Sequence, residues 1–458
     1  MKILFATAEL RPLVSAGGLG EAAAGLAAAL RELGHEVELV LPDYQRWHLD
    51  DAEDIALDLP DWASPASARR GVHPDVGPLV LVDVPGIARP DPYVDGDGVG
   101  WPDNDRRFAA FSAAVGVLAA HLDVDVVQLN DWHTAFEPAF APVYKPTVLT
   151  IHNLGHQGWT DISWHDRLPV HADAYLRGGG INALKGAIAV ADKVVTVSPT
   201  YAAEIVEHPG GMGLDDVLAW RGPDLVGIRN GIDTRSWDPA NDPHIAAPYS
   251  LDDLTGKLAC RAALLEELGW EDTGEPVIGI VSRLVDQKGM DLAFGVGSYL
   301  EGMRMRMVVL GSGDRALADQ GRALAAAQPD RFHFTDGFDA AYSHRIFGGA
   351  DLLAMPSRFE PCGLAQMQAM AYATIPVVTP VGGLVDTVVD DDVSRGEGTG
   401  FVAATIDLAG LVDALYRAQR SLRHAQRRRG IVLRGMRQDW SWSAPAQQFV
   451  DLYEDLLP

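Results

Sequence analysis

The sequence predicts two doubly wound α/β domains, each built on a mostly parallel sheet with helices on both faces. Three observations lead there. Short runs rich in Val, Ile and Leu alternate with helical patterns from end to end of the chain. Most of these runs are continuously apolar, as strands buried on both faces are. The alternation restarts after a loop-rich stretch, Asp233 to Tyr249, that carries three prolines. A chain of 458 residues is also too long for one ordinary core, and two domains of roughly 200 residues each are the natural expectation.

In chain order, the first half reads as strands at Lys2–Thr7, Glu36–Leu41, Leu79–Val84, Val126–Asn130, Thr147–His152, Val194–Ser198 and Leu225–Ile228. The second half reads as strands at Pro276–Ser282, Met305–Leu310, Phe332–Thr335, Leu352–Met355 and Ile375–Val378. A helix is expected over Glu21–Leu33, after a glycine-rich turn. The stretch Leu59 to Gly98, rich in Pro, Asp and Gly, reads as irregular connections around one strand. The domains are expected at 1–235 and 236–440, facing across a cleft that holds the ligand.

An apolar fraction of 47% and a charged fraction of 22% are those of a folded soluble protein. The net charge of −26 argues against nucleic acid or an anionic membrane as partner. A basic stretch from Arg417 to Arg437 is expected to be a salt-bridged helix face in so acidic a chain. The two cysteines, Cys260 and Cys362, have no metal-ligand neighbours at a known spacing, and they suit a reducing compartment. Met1 to Thr7 runs straight into a strand pattern without a cleavage site, and no apolar stretch is long enough for a bilayer. A cytoplasmic protein is expected.

Four places could carry chemistry. Arg358 to Leu364 follows an apolar strand at its carboxyl edge, where open α/β sheets bind ligands. It sets the carboxylate of Glu360 beside a proline, a glycine and a helix start whose N–H groups can hold hydroxyls or phosphates. Gly17-Gly18-Leu19-Gly20 follows the first strand and opens a helix, so a ligand could approach its backbone N–H groups. It lacks the dinucleotide spacing and the Lys-Ser/Thr of an ATPase loop. Arg283 and Lys288 lie just past another strand end, where two cations could neutralise a pyrophosphate without metal. Asp131 and His152 each close a buried strand of the first domain. Against these stand plainer readings: tight turns, surface loops paired with nearby acids, and structural caps. Asp123 and Asp125 precede their strand without a partner cluster, and no Gly-x-Ser-x-Gly elbow appears. No metal or other cofactor is expected.

Together these pieces resemble the bacterial glycogen synthase and plant starch synthase family, retaining glycosyltransferases of the GT-B fold. The resemblance runs through Gly17 to Gly20, Asn130 to Thr134, Thr150 to Leu154, Gln157-Gly158, Leu184 to Gly186 and Val197 to Tyr201. It continues at Asn230 to Asp233, Ser282-Arg283, Ser343 to Ile346, Pro356 to Leu364 and Gly382 to Thr387. The last residues resemble the family's closing helix, which implies that 441–458 packs back on the first domain.

The resemblance implies transfer of glucose from ADP-glucose to the non-reducing end of an α-1,4-glucan, with retention and no metal. It implies that Arg283 and Lys288 hold the diphosphate. Glu360, Cys362, Gly363 and Leu364 then surround the donor sugar, and Ser15, Gly17 and Gly18 belong to the donor side. Asp131 and His152 line the sugar side, with His152 assisting departure of the nucleotide. This sequence departs from the family pattern at Ser15, where a Lys is usual, at Glu21 for Asp, at His156 for Tyr, and at Ala371 for a basic residue. Two other readings therefore stand beside the first. One is a pseudo-glycosyltransferase that joins a nucleotide-activated carbasugar of the valienol type to an amino-sugar or oligosaccharide acceptor, as in acarbose-like compounds. The other is a non-catalytic protein that binds glucan or nucleotide.

Overall fold

The computed structural model describes residues 1–96 and 98–457. Asp97, inside the stretch read as irregular, and Pro458, the last residue of the returning segment 441–458, lie outside the described residues. The chain forms two compact units, Met1–Gly231 with Trp442–Pro458, and Ile232–Ser441.

The first unit is built on a nine-stranded sheet in the order β12-β11-β7-β6-β1-β2-β5-β4-β3. The strands are β1 Lys2–Ala6, β2 Glu36–Pro42, β3 Asp50–Ala56, β4 Ser67–His73, β5 Gly77–Asp83, β6 Val126–Asn130 and β7 Thr147–Ile151, then β11 Lys193–Thr196 and β12 Leu225–Gly227. A separate small sheet holds β8 Trp159–Thr160, β9 Leu176–Arg177 and β10 Gly180–Asn182. From β12 to β5 every neighbouring pair is parallel. Apart from the half-buried edge strand β12, these are the continuous apolar runs, buried on both faces.

At the other end, β4 pairs antiparallel with β5, and β3 antiparallel with β4. The stretch read as surrounding one strand thus contributes β4 as well as β5, with β3 just before it. Of the two missed strands, β3 is the sheet edge and β4 lies next to it, and both are written in charge rather than apolar residues. Glu53 lies opposite Arg70 and Asp54 opposite Arg69, and Arg70 forms an ion pair with Glu38 of β2. Charged edge strands are how sheets avoid pairing with strangers, and here the same charges hide the strand from an apolar search.

Two layers cover this sheet. Helix α1, Gly18–Glu32, shares one core with Ile3, Phe5 and Leu39 of the strands and with Phe449, Val450 and Tyr453 of the helix Ser443–Glu454. The chain's last helix therefore belongs to the first unit. Its Tyr453 hydroxyl donates to Gln128 Oε1 of β6 at 2.8 Å, which satisfies both buried groups. Burying such an aromatic side chain is worth about 1.5–3 kcal/mol. Helix α2, Asn104–His121, packs Phe108, Phe111 and Leu118 on a second core with Leu4, Val80 and Val127.

The second unit has a six-stranded sheet in the order β15-β14-β13-β16-β17-β18. Its strands are β13 Val277–Val281, β14 Arg306–Gly311, β15 Phe332–Asp336, β16 Leu352–Met355, β17 Ile375–Val378 and β18 Phe401–Val402. All neighbouring pairs are parallel. The arginines of the basic stretch reach inward to acids. Arg427 and Arg434 each hold one oxygen of the buried Asp391 at 2.7 Å, and Arg417 holds Asp390 at 2.9 Å.

In both units the order turns back on itself beside the first strand. After β1 the chain builds β2 on one side and later β6 on the other. After β13 it builds β14 on one side and later β16 on the other. Loops leaving two such neighbours part company above the sheet and open a crevice. These two switch points position the residues considered next.

Substituting Gly25 tests the packing of the returning segment. A Cβ there would stand 2.0 Å from Trp442 Nε1, so Gly25→Ala should cost about 1–3 kcal/mol by overpacking, read as a lower denaturant midpoint. Gly302→Ala, where nothing lies within 4 Å of the new Cβ, should stay within about 0.5 kcal/mol of the parent.

Candidate active site

The switch point of the second unit lies between the carboxyl ends of β13 and β16. The loop 282–289 leaves the first and the loop 356–364 leaves the second. They are bound together along their length. Arg358 sets its guanidinium fork on both oxygens of Asp291, at 2.8 Å each, and its backbone N–H donates to Gln287 O. Gly289 has φ +60°, and a Cβ there would stand 2.0 Å from Pro356 O. Only glycine permits that approach.

This lacing brings Lys288 to Glu360. The Lys288 ammonium donates to Glu360 Oε2 at 2.5 Å, and the Ser357 hydroxyl donates to the same oxygen at 3.0 Å. Glu360 is 4% exposed, and no protein donor within hydrogen-bond distance takes its Oε1 among the described residues. A third loop backs the site, where Gly383 N–H donates to Glu360 O at 3.1 Å. Gly382 at φ +41° lies where a Cβ would meet that same carbonyl at 2.0 Å.

The Gln366 side-chain amide donates to Cys362 O, Gly363 O and Thr387 Oγ1, which fixes the turn before the helix Ala365–Ala371. The Gly363 and Leu364 N–H groups find no acceptor among the described residues. Cys362 is buried beneath the turn. Arg283 is exposed and takes part in no ion pair among the described residues. Its loop is held by Leu284, whose N–H donates to Ser312 O and whose carbonyl accepts from Asp314 N.

The site therefore offers an exposed cation, a fixed lysine already balanced by a carboxylate, and two free N–H groups. Together they suit a diphosphate with a hydroxylated group beside it. One feature was absent from the sequence reading. Phe338, just past β15 and after Gly337, is 75% exposed. A bare aromatic face at the carboxyl edge of the same sheet was legible as an aromatic following a glycine at a strand end.

The switch point of the first unit lies between β1 and β6. Asp131, the residue after β6, has φ +55°, a conformation uncommon outside glycine and concentrated at functional sites. Its Oδ1 accepts from the backbone N–H groups of His152, at 2.7 Å, and Asn153, at 3.3 Å. Asn130 donates its side-chain amide to Ala6 O at 2.9 Å, which turns its carbonyl oxygen toward His152 Nε2, also at 2.9 Å. The proton of the ring is thereby assigned to Nε2.

Burial pushes His152 down to about 3, so its ring is neutral at physiological pH. It can assist a leaving group as a hydrogen-bonding group but not as an imidazolium. Burial pushes Asp131 up to about 7, against the pull of its two backbone donors.

The glycine loop after β1 differs from expectation in one respect. The Ala16 and Gly17 N–H groups donate to Glu9 Oε2, at 2.8 and 3.0 Å, so an internal carboxylate takes the place foreseen for a ligand. What remains open is the start of α1 from Gly18. Ser15 is exposed, with its hydroxyl donating to Gly17 O at 3.0 Å. The structure thus sorts the foreseen residues into two sets. Ser15, Gly17, Gly18, Asp131 and His152 gather at the switch point of the first unit. Arg283, Lys288, Glu360, Cys362, Gly363 and Leu364 gather at that of the second. Glu9 carries no motif around it, and only its contacts reveal it.

Comparison with known proteins places this architecture. The family profile described as starch synthase catalytic domain matches residues 2–220, and that described as glycosyl transferases group 1 matches residues 268–430. The chain is 39% identical to the glycogen synthase of Thioalkalivibrio sulfidiphilus over the whole of both chains. It is 40% identical to that of Alkalilimnicola ehrlichii over 99% of each. Among solved structures it is similar to the catalytic domain of starch synthase IV from Arabidopsis thaliana bound to ADP and acarbose. That match has a TM-score of 0.89 and 30% identity over 99% of each chain. A sucrose-phosphate synthase from Thermosynechococcus elongatus, at 18% identity and a TM-score of 0.64, shares the fold.

Asp131 and His152 make opposite demands on pH. Asp131 takes up its proton more readily when folded, so its contribution is lost as pH rises from about 4 to about 7. His152 holds its proton less well when folded, so stability is lost as pH falls from about 6.5 toward 3. The Tm of Asp131→Asn minus that of the parent should therefore climb between pH 4 and 7, by roughly 2–4 °C per kcal/mol. The same difference for His152→Gln should grow toward acid. Flat differences across these windows would refute both assignments.

Proposed function

We infer the reaction from one premise: this chain belongs to the glycogen synthase and starch synthase family and is a glycosyltransferase of two Rossmann-like domains. It uses a nucleotide-sugar donor and a glucan acceptor. The donor we propose is ADP-glucose, and the product is an α-1,4-glucan lengthened at its non-reducing end with retention of configuration. The solved relative that binds ADP supports the nucleobase.

The observation that carries this reading is the meeting of Lys288 with Glu360 at the β13/β16 crevice, beside the exposed Arg283. As the bond between sugar and diphosphate breaks, negative charge grows on the departing phosphate. Arg283 and Lys288 offset that charge, two cations in the role a metal ion takes elsewhere. Lys288 has three donors, so it can keep Glu360 while meeting a phosphate oxygen. Glu360 uses Oε1 to accept from a sugar hydroxyl, and the Gly363 and Leu364 N–H groups hold a second polar group of the donor. Phe338 offers its face to the base. The neutral His152 and its partner Asp131 orient the sugar end.

Release of nucleoside diphosphate from ADP-, UDP- and GDP-glucose, each with and without glycogen, tests the reading. ADP release that requires glycogen and lengthens it is expected. Absence of turnover with every glucose donor would overturn the proposed donor. Lys288→Ala and Arg283→Ala should each lower kcat about 10²- to 10³-fold, since the charge they balance is largest in the transition state.

A further inference from the structure

Glu9 lies three residues past β1 and is 4% exposed. A buried carboxylate is costly unless its lone pairs are filled. Here three donors fill them. Oε2 takes the Ala16 and Gly17 N–H groups at 2.8 and 3.0 Å, and Oε1 takes the Tyr93 hydroxyl at 2.8 Å. Hydrogen bonds to an ionised acceptor are about twice as strong as neutral ones. Successive backbone N–H groups converging on one oxygen also form an anion nest, and this nest is filled from within.

Residues 15–18 are all exposed. Besides the Glu9 contacts, the loop is tied by the Leu10–Val14 bridge, by the Arg11 N–H on Gly20 O at 3.1 Å and by the Ser15 hydroxyl on Gly17 O. Tyr93, by contrast, is pinned from several sides. Its carbonyl accepts from Trp101 N at 3.1 Å and Asn104 Nδ2 at 2.9 Å, and its N–H donates to Asp91 Oδ1 at 2.8 Å. The preceding carbonyl of Pro92 is held by the wholly buried Arg107 at 2.8 Å. The Tyr93 ring stacks on His133, with centroids 4.9 Å apart, two residues from Asp131.

We propose that Glu9 is a positioning residue for glycosyl transfer: its carboxylate, anchored through Tyr93, clamps the glycine loop at Ala16 and Gly17 in one conformation. The clamp ties the loop after β1 to the turn after β6, so the two halves of the first unit's site move as one piece. The inference rests on the proposed transferase reading in assigning this loop to the donor. Glu9 itself meets no substrate. It occupies the N–H groups of Ala16 and Gly17 that the loop would otherwise present, so the loop offers a ligand only what lies from Gly18 onward.

The test compares the parent with Glu9→Gln and Tyr93→Phe. Glutamine keeps the shape but turns an amide donor against either the loop N–H groups or the tyrosine hydroxyl. Amide hydrogen exchange over residues 15–18 reads the clamp without any substrate. Protection at Ala16 and Gly17 should fall at least tenfold in Glu9→Gln and less in Tyr93→Phe, with the global unfolding midpoint little changed. In the ADP-glucose and glycogen assay, kcat should fall about tenfold or more in Glu9→Gln, while ADP affinity stays within twofold. Unchanged protection, or turnover equal to the parent's, would overturn the proposal. A parent chain inactive on every glucose donor would instead sink the proposed reaction, and the exchange data would still decide whether Glu9 holds the loop.

Discussion

Parallel strands deliver their carboxyl ends to one edge of a sheet, so the loops that leave neighbouring strands start side by side there. In the second unit this constraint brings Lys288 and Glu360 within 2.5 Å of each other although 72 residues separate them. The loops can come so close because Gly289 leaves room for Pro356 O. They stay in register because Arg358 grips Asp291 with both arms of its fork. Charge in the site is nearly balanced before any ligand arrives, which spares an isolated lysine and an isolated buried carboxylate. Arg283 stands in the open and Lys288 in a fixed place.

The first unit solves a different problem with the same topology. Its switch point carries carboxylates, Glu9 and Asp131, where the family pattern places a lysine at the position of Ser15. Each acid is held by backbone N–H groups rather than by a cation. Burial keeps His152 neutral, so this face offers a ligand hydrogen-bond direction instead of net positive charge. The two cations, Arg283 and Lys288, lie in the second unit.

Much of this was legible in the residues. Continuous apolar runs marked the parallel strands, because burial on both faces leaves no room for alternation. The strands β3 and β4 escaped, since strands at the end of a sheet can be charged and still pair, as Glu53 opposite Arg70 shows. Very short strands such as β8 and β18 have too few residues to show any period. The residues Arg283, Lys288, Glu360, Asp131 and His152 stood out because each follows an apolar run at its carboxyl end. Phe338 follows its strand after Gly337 and could have been marked in the same way, whereas Glu9 follows its strand without a motif around it.

The sequence by itself determined the fold class and which strand ends carry polar groups, because apolar periodicity and glycine placement are local and act before any tertiary contact forms. It also determined that the chain resembles a family of glycosyltransferases along its whole length. Only the tertiary structure decided how those groups pair. That Lys288 is held by Glu360, that Asn130 sets the tautomer of His152, and that Glu9 fills the glycine loop's N–H pair depend on distances between residues far apart in the chain. So do the pKa shifts of Asp131 and His152, since burial is a property of the packed unit and not of any residue within it.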